Sequence, residues 1–95
     1  MRRYVVIPDA AKDIESFRLY LLEKNGEIVA SAFLKHIYQK FPLLVAFPQI
    51  GKHRTDLFEG LYSFPDKRYQ RTIFYTTADY GIKVIAVFGG RQDHK

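Results

Sequence analysis

The chain has no cysteine, which excludes disulfide bonds and thiolate chemistry and fits a reducing compartment. It also lacks any apolar run that approaches the ~20 residues of a membrane-spanning helix. Its first residues do not contain the apolar core of a signal peptide. We therefore expect a cytoplasmic protein that makes no use of a membrane.

Residue arrangements typical of enzymes are missing as well. The three histidines, His36, His53 and His94, share no metal-ligand spacing, so no metal site is predicted. No serine lies in a nucleophile elbow, and no glycine pattern matches a phosphate-binding loop, so we expect no cofactor and no catalysis of these kinds. His36 is interpreted as a helix-surface residue and His53 as a solvated loop residue.

Acidic residues are the minority among the charged ones. Fifteen Lys and Arg face ten Asp and Glu, which gives a net charge of +5 and a pI near 9.6. This balance favours an acidic partner, either nucleic acid or protein, although ordinary solubility charge is the alternative. A length of 95 residues with 47% hydrophobic residues predicts one folded domain, residues 1–95.

The first half of the chain predicts a short strand followed by two amphipathic helices. Residues 3–7 are the strand candidate, and Asp9 is a candidate helix cap. Apolar stripes then recur at helical spacing: Ala10, Ile14, Phe17 and Leu21, followed by Ala30, Phe33, Ile37 and Phe41. Asn25 and Gly26 separate the helices, so we expect a hairpin in which Phe17 faces Phe33. Pro42 should kink or break the second helix near Gln39.

The second half predicts three antiparallel strands. They are expected within residues 57–64, 71–77 and 82–88, with a polar loop at 52–56 and turns at 65–68 and 78–81. In the last strand, simple alternation places Ile82, Val84, Ala86 and Phe88 on one face and Ile85 and Val87 on the other. The predicted fold is α+β, in the order strand–helix–helix–strand–strand–strand, with a small, mainly antiparallel sheet and a helix hairpin on one face.

Basic residues fall into three groups that the fold could bring together. The groups are Lys52, His53 and Arg54; Lys67, Arg68 and Arg71; and Arg91, His94 and Lys95. If the strand ends converge, these cations could bind phosphates or stabilise charge during phosphodiester cleavage. The alternative is a set of solvated loop charges.

Several motifs, in order and spacing, resemble the ParE branch of the ParE/RelE toxin superfamily. They are residues 60–65 (GLYSFP), 73–75 (IFY) and 87–93 (VFGGRQD), with Ala11, Asp13, Ile14, Tyr20, Pro48, Gly51 and Arg54 upstream. The resemblance covers nearly the whole chain and implies a RelE/ParE-like fold. It further implies the toxin of a type II toxin–antitoxin system, as used in plasmid stabilisation, which inhibits DNA gyrase by binding and is neutralised by a cognate antitoxin.

The resemblance also implies where partners would bind. The antitoxin would wrap the helix hairpin and an exposed sheet edge, and its expected contacts are Phe17, Tyr20, Phe33 and Ile37. The expected target-binding residues are Arg54, Arg71, Arg91, Gln92 and Asp93. We expect Arg91→Ala to weaken toxicity while leaving the fold intact.

Two other functions stay open at the level of sequence. A RelE-like, ribosome-dependent mRNA interferase would use Arg71, Arg91 and His94. However, Thr72 occupies the position of that branch's strand arginine, Arg71 is one residue off and therefore on the opposite face, and no terminal tyrosine follows. The third possibility is a degenerate member that binds an antitoxin and is no longer toxic.

Overall fold

The computed structural model describes residues 3–89, which form two helices and one five-stranded sheet. The elements are β1 (Arg3–Val6), α1 (Pro8–Asn25), α2 (Glu27–Ala46), β2 (Lys52–His53), β3 (Leu61–Asp66), β4 (Arg71–Ala78) and β5 (Gly81–Gly89). The strand order is β1–β5–β4–β3–β2; β1 and β5 are parallel, and the other neighbours are antiparallel. The predicted α+β architecture is therefore confirmed, with β2 as a strand that the polar sequence of residues 52–56 did not indicate.

The start of α1 differs from the prediction. Ile7, not Asp9, is the residue before the first helical turn, and no side chain caps this end. Pro8 is the first helical residue, where its missing N–H costs nothing because no helical carbonyl precedes it. Asp9 instead lies in the first turn, where its negative charge interacts favourably with the helix dipole.

Helix α2 is continuous across Pro42, so the predicted break near Gln39 is wrong. Proline inside a helix costs about 3 kcal/mol or more, since it removes one hydrogen bond and crowds the preceding turn. The residues around it outweigh that cost: Phe41 and Leu44 are fully buried on the face that packs on the sheet, while Pro42 is exposed. Neither helix within residues 3–89 is long and apolar enough to cross a membrane.

The core lies between the helix hairpin and one face of the sheet. Phe17 of α1 meets Phe33 of α2 edge-on at 5.0 Å between ring centroids, as the apolar stripes predicted. Phe33 in turn contacts the ring of Tyr69 at 5.1 Å, which joins the hairpin to the turn between β3 and β4. Fully buried residues of the sheet complete the core: Ile73, Tyr75, Ile82, Val84 and Val87.

A β-bulge in β5 corrects the predicted faces of that strand. Tyr75 of β4 pairs with Val84, but the preceding residue, Phe74, pairs with Ala86, so Ile85 is the extra residue. Beyond the bulge the alternation is reversed. Val87 therefore joins Ile82 and Val84 in the core, and Phe88 lies on the opposite face, half exposed. Simple alternation had placed Phe88 with Val84.

The turns hold the sheet together at both ends. Pro65 and Asp66, predicted as turn residues, end β3, and the Asp66 carboxylate accepts a hydrogen bond from the Tyr69 N–H at 3.1 Å inside the turn that follows. At the other end, Gly81 has φ +146° and lies against the carbonyl of Arg3 in β1. A Cβ at Gly81 would overlap that carbonyl oxygen, so only glycine lets β1 approach β5 here.

Candidate functional site

A shallow groove of about 230 Å³ lies between α1 and β5 on the helix side of the sheet. Its lining residues, which define the α1–β5 groove, are Asp13, Ser16, Phe17, Tyr20, Arg71, Val87 and Phe88. The apolar stripe of α1 places Phe17 at the groove, and the alternation of β4 directs Arg71 to the same side. The groove thus combines aromatic surface with one cation and one carboxylate.

Arg71 lies over the ring of Phe17, with its guanidinium carbon 4.1 Å from the ring centroid. Burial lowers the pKa of Arg71, while the nearby charge of Asp13 acts in the opposite direction. The side chain still carries its charge at neutral pH, because guanidinium groups do not lose their proton in proteins. A partly desolvated guanidinium held over an aromatic ring is well suited to donate two parallel hydrogen bonds to a partner's carboxylate.

The groove borders an edge of β5 that β1 leaves open. In the described part of the chain, β1 pairs with β5 only as far as Val84. Further along β5, the Val87 N–H donates to the Asp13 carboxylate at 3.0 Å, which ties α1 to this edge. Because alternate residues of a strand direct their backbone groups to the same side, the Gly89 N–H points the same way as that of Val87. This edge can therefore pair with an added peptide strand.

The four residues expected to contact an antitoxin differ in their exposure. Tyr20 is 53% exposed and stacks on the half-buried ring of Phe17 at 5.6 Å, so both present surface in the α1–β5 groove. Phe33 and Ile37 are 0% exposed and lie in the core. These two residues present no surface in this structure, because their stripe on α2 packs on the sheet. Their contribution is to hold Phe17 and α1 in place.

Of the basic groups that the fold could have brought together, Arg54 and Arg71 do not converge. Arg71 faces the helices, whereas Arg54 lies on the opposite side of the sheet, with its guanidinium carbon 6.0 Å from the centroid of Phe74. Arg54 is held there by a double hydrogen bond to Asp56, both N–O distances being 2.9 Å, and this contact raises the pKa of Arg54. Arg91, Gln92, Asp93 and His94 lie outside the described residues.

Thr72, at the position where the RelE branch carries its strand arginine, and Arg71 lie on opposite faces of β4, as alternation predicted. Thr72 pairs with Phe88, on the face turned away from the helices, and Arg71 pairs with Gly89, on the helix side. The cation therefore cannot stand in for an arginine at position 72. Within residues 3–89, no group of three or more His, Cys, Asp or Glu side chains is arranged to hold a metal ion.

Sequence reasoning missed the polar contacts that anchor the loops. His36 is not a surface residue: its Nε2 lies 2.5 Å from an Asp66 oxygen, and its ring contacts Tyr69 at 5.1 Å. The clue was its position three residues after Phe33, at the margin of the buried stripe. His53 is likewise not free in a loop, since it belongs to β2 and stacks on Tyr62 at 4.8 Å.

Tyr75 anchors the segment between α2 and β2. Its hydroxyl donates to the Pro48 carbonyl at 2.7 Å and accepts from the Gly51 N–H at 3.1 Å. A Cβ at Gly51 would overlap the Tyr75 hydroxyl, so glycine is needed at this contact. Three of the motif residues, Pro48, Gly51 and Tyr75, thus act together as one structural unit.

The helix hairpin packs on one face of a small, mainly antiparallel sheet, with the N-terminal strand beside β5, as the resemblance to the ParE/RelE superfamily implied. The family model described as the ParE toxin of the type II toxin–antitoxin system, parDE, matches residues 4–94, and the chain belongs to this family. The resemblance inferred from the motifs is thereby confirmed.

One curated relative supports the assignment, and one solved structure shares the fold. The chain is 31% identical over 93 residues to Toxin ParE3 of Caulobacter vibrioides, a match that covers 98% of this chain and 91% of that protein. It also shares its fold with a chain of the solved structure described as the chromosomal ParDE TA system from P. aeruginosa. That match has a TM-score of 0.80 at 15% identity and covers 94% of this chain and 96% of the other.

Proposed function

We propose that this toxin inhibits DNA gyrase by binding, in the cytoplasm, and that a cognate antitoxin neutralises it. The observation that carries the proposal is membership of the ParE toxin family over residues 4–94. The arrangement of Arg71 adds to it, since the cation nearest to the interferase position is packed on Phe17 and faces the helices. Inhibition by binding requires complementary surface only, and this chain offers several exposed apolar and basic residues.

The antitoxin is proposed to occupy the α1–β5 groove. One of its carboxylates would pair with Arg71, and an apolar side chain would rest on Tyr20 and Phe17. An extended segment would add to the open edge of β5 next to Val87, where backbone hydrogen bonds supply affinity and the groove supplies specificity. This arrangement assigns Arg71 to the antitoxin. Among residues 3–89, Arg54 then remains as the expected target-binding residue. An acidic antitoxin suits the net charge of +5.

Cleavage of mRNA is the competing activity, and it makes different demands. A nuclease needs a proton acceptor or donor near the 2′-hydroxyl and cations beside the phosphate where charge develops. On the two strands beside β4, the described residues paired with Thr72 are Pro65 and Phe88. Neither side chain has a titratable proton or a charge. Toxicity by binding therefore accounts better for this surface than catalysis does.

The experiment compares both activities in one preparation of toxin freed from its antitoxin. We expect loss of gyrase supercoiling, with linear DNA accumulating as cleavage complexes are trapped, and no cuts in ribosome-bound mRNA. Adding the antitoxin back should restore supercoiling. Thr72→Arg is a matched variant, because it introduces the cation that the interferase branch carries at this position without touching the core. Codon-dependent cuts by the unaltered toxin, with gyrase unaffected, would contradict the proposal.

A further inference from the structure

The face of the sheet turned away from the helices, called here the open face, carries a small aromatic cluster. Phe74 of β4 and Phe88 of β5 are stacked at 5.0 Å between ring centroids with an interplanar angle of 27°. The bulge at Ile85 brings Phe88 to this face, and 44% of Phe88 remains exposed. Neither α1 nor α2 covers these rings, since the core cluster lies wholly on the other side. Exposure of two large apolar rings to water is energetically unfavourable, and exposed apolar surface of this kind is typical of a binding site.

Four cations share the open face, and one of them contacts the cluster. Arg54 lies over Phe74, and the strand register places Lys52, Lys83 and Arg3 on the same face. Among the described strand residues none on the open face is acidic, because the single strand carboxylate, Asp66, points to the helix side. The open face therefore presents a positive surface with an aromatic centre.

We propose that the open face binds single-stranded nucleic acid. The stacked rings of Phe74 and Phe88 offer a platform for one or two bases, and Arg54 and the other cations of the same face can bind phosphates of the strand. Thr72 and Thr76 flank Phe74 in β4 and supply hydroxyl groups that can bond to base edges or phosphates. A duplex fits poorly, because its bases are stacked inside and cannot reach rings that lie in the surface of a sheet. Phe88 also lines the α1–β5 groove, but the other groups of this site lie on the opposite face of the sheet from that groove.

Asp56 gives the proposed site a testable feature of its own. Its carboxylate holds the Arg54 guanidinium by two hydrogen bonds and is itself largely exposed. An incoming phosphate would have to share or take over that guanidinium, and the negative charge of Asp56 would oppose its approach. Removing this charge should therefore tighten binding of an oligonucleotide, whereas a purely structural role of the pair predicts no change.

The test is fluorescence anisotropy of a 5′-fluorescein-labelled twelve-nucleotide oligothymidylate with toxin freed from antitoxin, at low salt. Loss of one stacked ring typically weakens such binding by about 10-fold, so Phe88→Ala should do so here. Asp56→Asn should tighten binding by about 2- to 5-fold, through removal of one nearby charge. Lys83→Ala should weaken binding and reduce its dependence on salt. Phe47→Ala is the matched control: it removes an exposed aromatic ring at the end of α2, away from the open face, and should leave binding unchanged.

Two further ligands separate the proposal from its competitors. Heparin measures attraction to charge alone, and Phe88→Ala should leave its binding unaltered. The same sequence as a duplex should bind at least 10-fold more weakly than the single strand if bases stack on the rings. Equal binding of single strand and duplex, or an oligothymidylate affinity that does not respond to Phe88→Ala, would overturn the proposal. Binding of polyglutamate that responds to Phe88→Ala, without binding of the oligonucleotide, would instead assign the open face to an acidic protein.

Discussion

Phe33→Ala offers the sharpest check on the packing, because this one ring joins three elements. Phe33 is fully buried, with Phe17 of α1 on one side and Tyr69 of the β3–β4 turn on the other, both edge-on. Truncating such a ring costs roughly 3–5 kcal/mol, from the lost transfer free energy and the cavity that remains. A chain of this size is stable by roughly 5–14 kcal/mol, so the variant should lose at least about a fifth of its stability.

Urea denaturation followed by circular dichroism measures this loss. The urea concentration at the midpoint should fall, while the m value, the dependence of the unfolding free energy on urea concentration, stays the same. This combination shows that stability has changed and that the surface exposed on unfolding has not. Phe17→Ala should cost less, about 2 kcal/mol, because Phe17 is only half buried. Ile28→Ala is the control on α2, since Ile28 is 85% exposed and should change stability by less than about 0.5 kcal/mol. A Phe33→Ala loss below 1 kcal/mol, or one smaller than that of Phe17→Ala, would show that the helices do not meet through this ring.

Two further predictions concern the groove and the buried tyrosine. Tyr20→Ala should weaken antitoxin binding by about 10-fold in isothermal titration calorimetry without altering the fold, whereas Ile28→Ala should not; equal affinities would remove Tyr20 from the interface. Burial raises the pKa of Tyr75, so the stability that its neutral hydroxyl provides is complete below about pH 10 and is lost as the pH rises through the folded-state value. Tyr75→Phe should therefore lower the free energy of unfolding by about 1–3 kcal/mol at pH 7, since Pro48 and Gly51 lose their hydrogen-bond partner. At alkaline pH the free energies of unfolding of the variant and of the unaltered protein should become more similar. A difference between the two proteins that does not depend on pH would contradict this role.

The helices and most strands were predictable because hydrophobic spacing is set by short-range geometry. The stripes through Phe17 and Phe33 identified the hairpin and its facing rings, and alternation in β4 separated Arg71 from Thr72 correctly. The same rule failed in β5, because a bulge inserts one residue and nothing in a run of apolar residues marks which one it is. Ile85 is identified only by its missing partner in β4.

The site was less predictable, because partners in it are distant along the chain. Asp13 and Val87, or His36 and Asp66, meet only when the helices are folded onto the sheet. Pro42 was misjudged for the same reason. The local cost of proline in a helix applies here, but burial of Phe41 and Leu44 in the folded protein outweighs that cost. Arg54 and Arg71 belong to loops and strand ends that looked convergent, and only the register of β4 shows that they lie on opposite faces.

The parallel pairing of β1 with β5 has a consequence for the order of events in folding. Arg3 pairs with Gly81, which is distant along the chain, and β5 lies between β1 and β4 in the sheet. Closing so long a segment is entropically costly and slow, and neither half of the sheet has its core until β5 arrives with Val84 and Val87. The α1–β5 groove and the open face therefore form only when β5 takes its place between β1 and β4, so both surfaces depend on the last long-range step of folding.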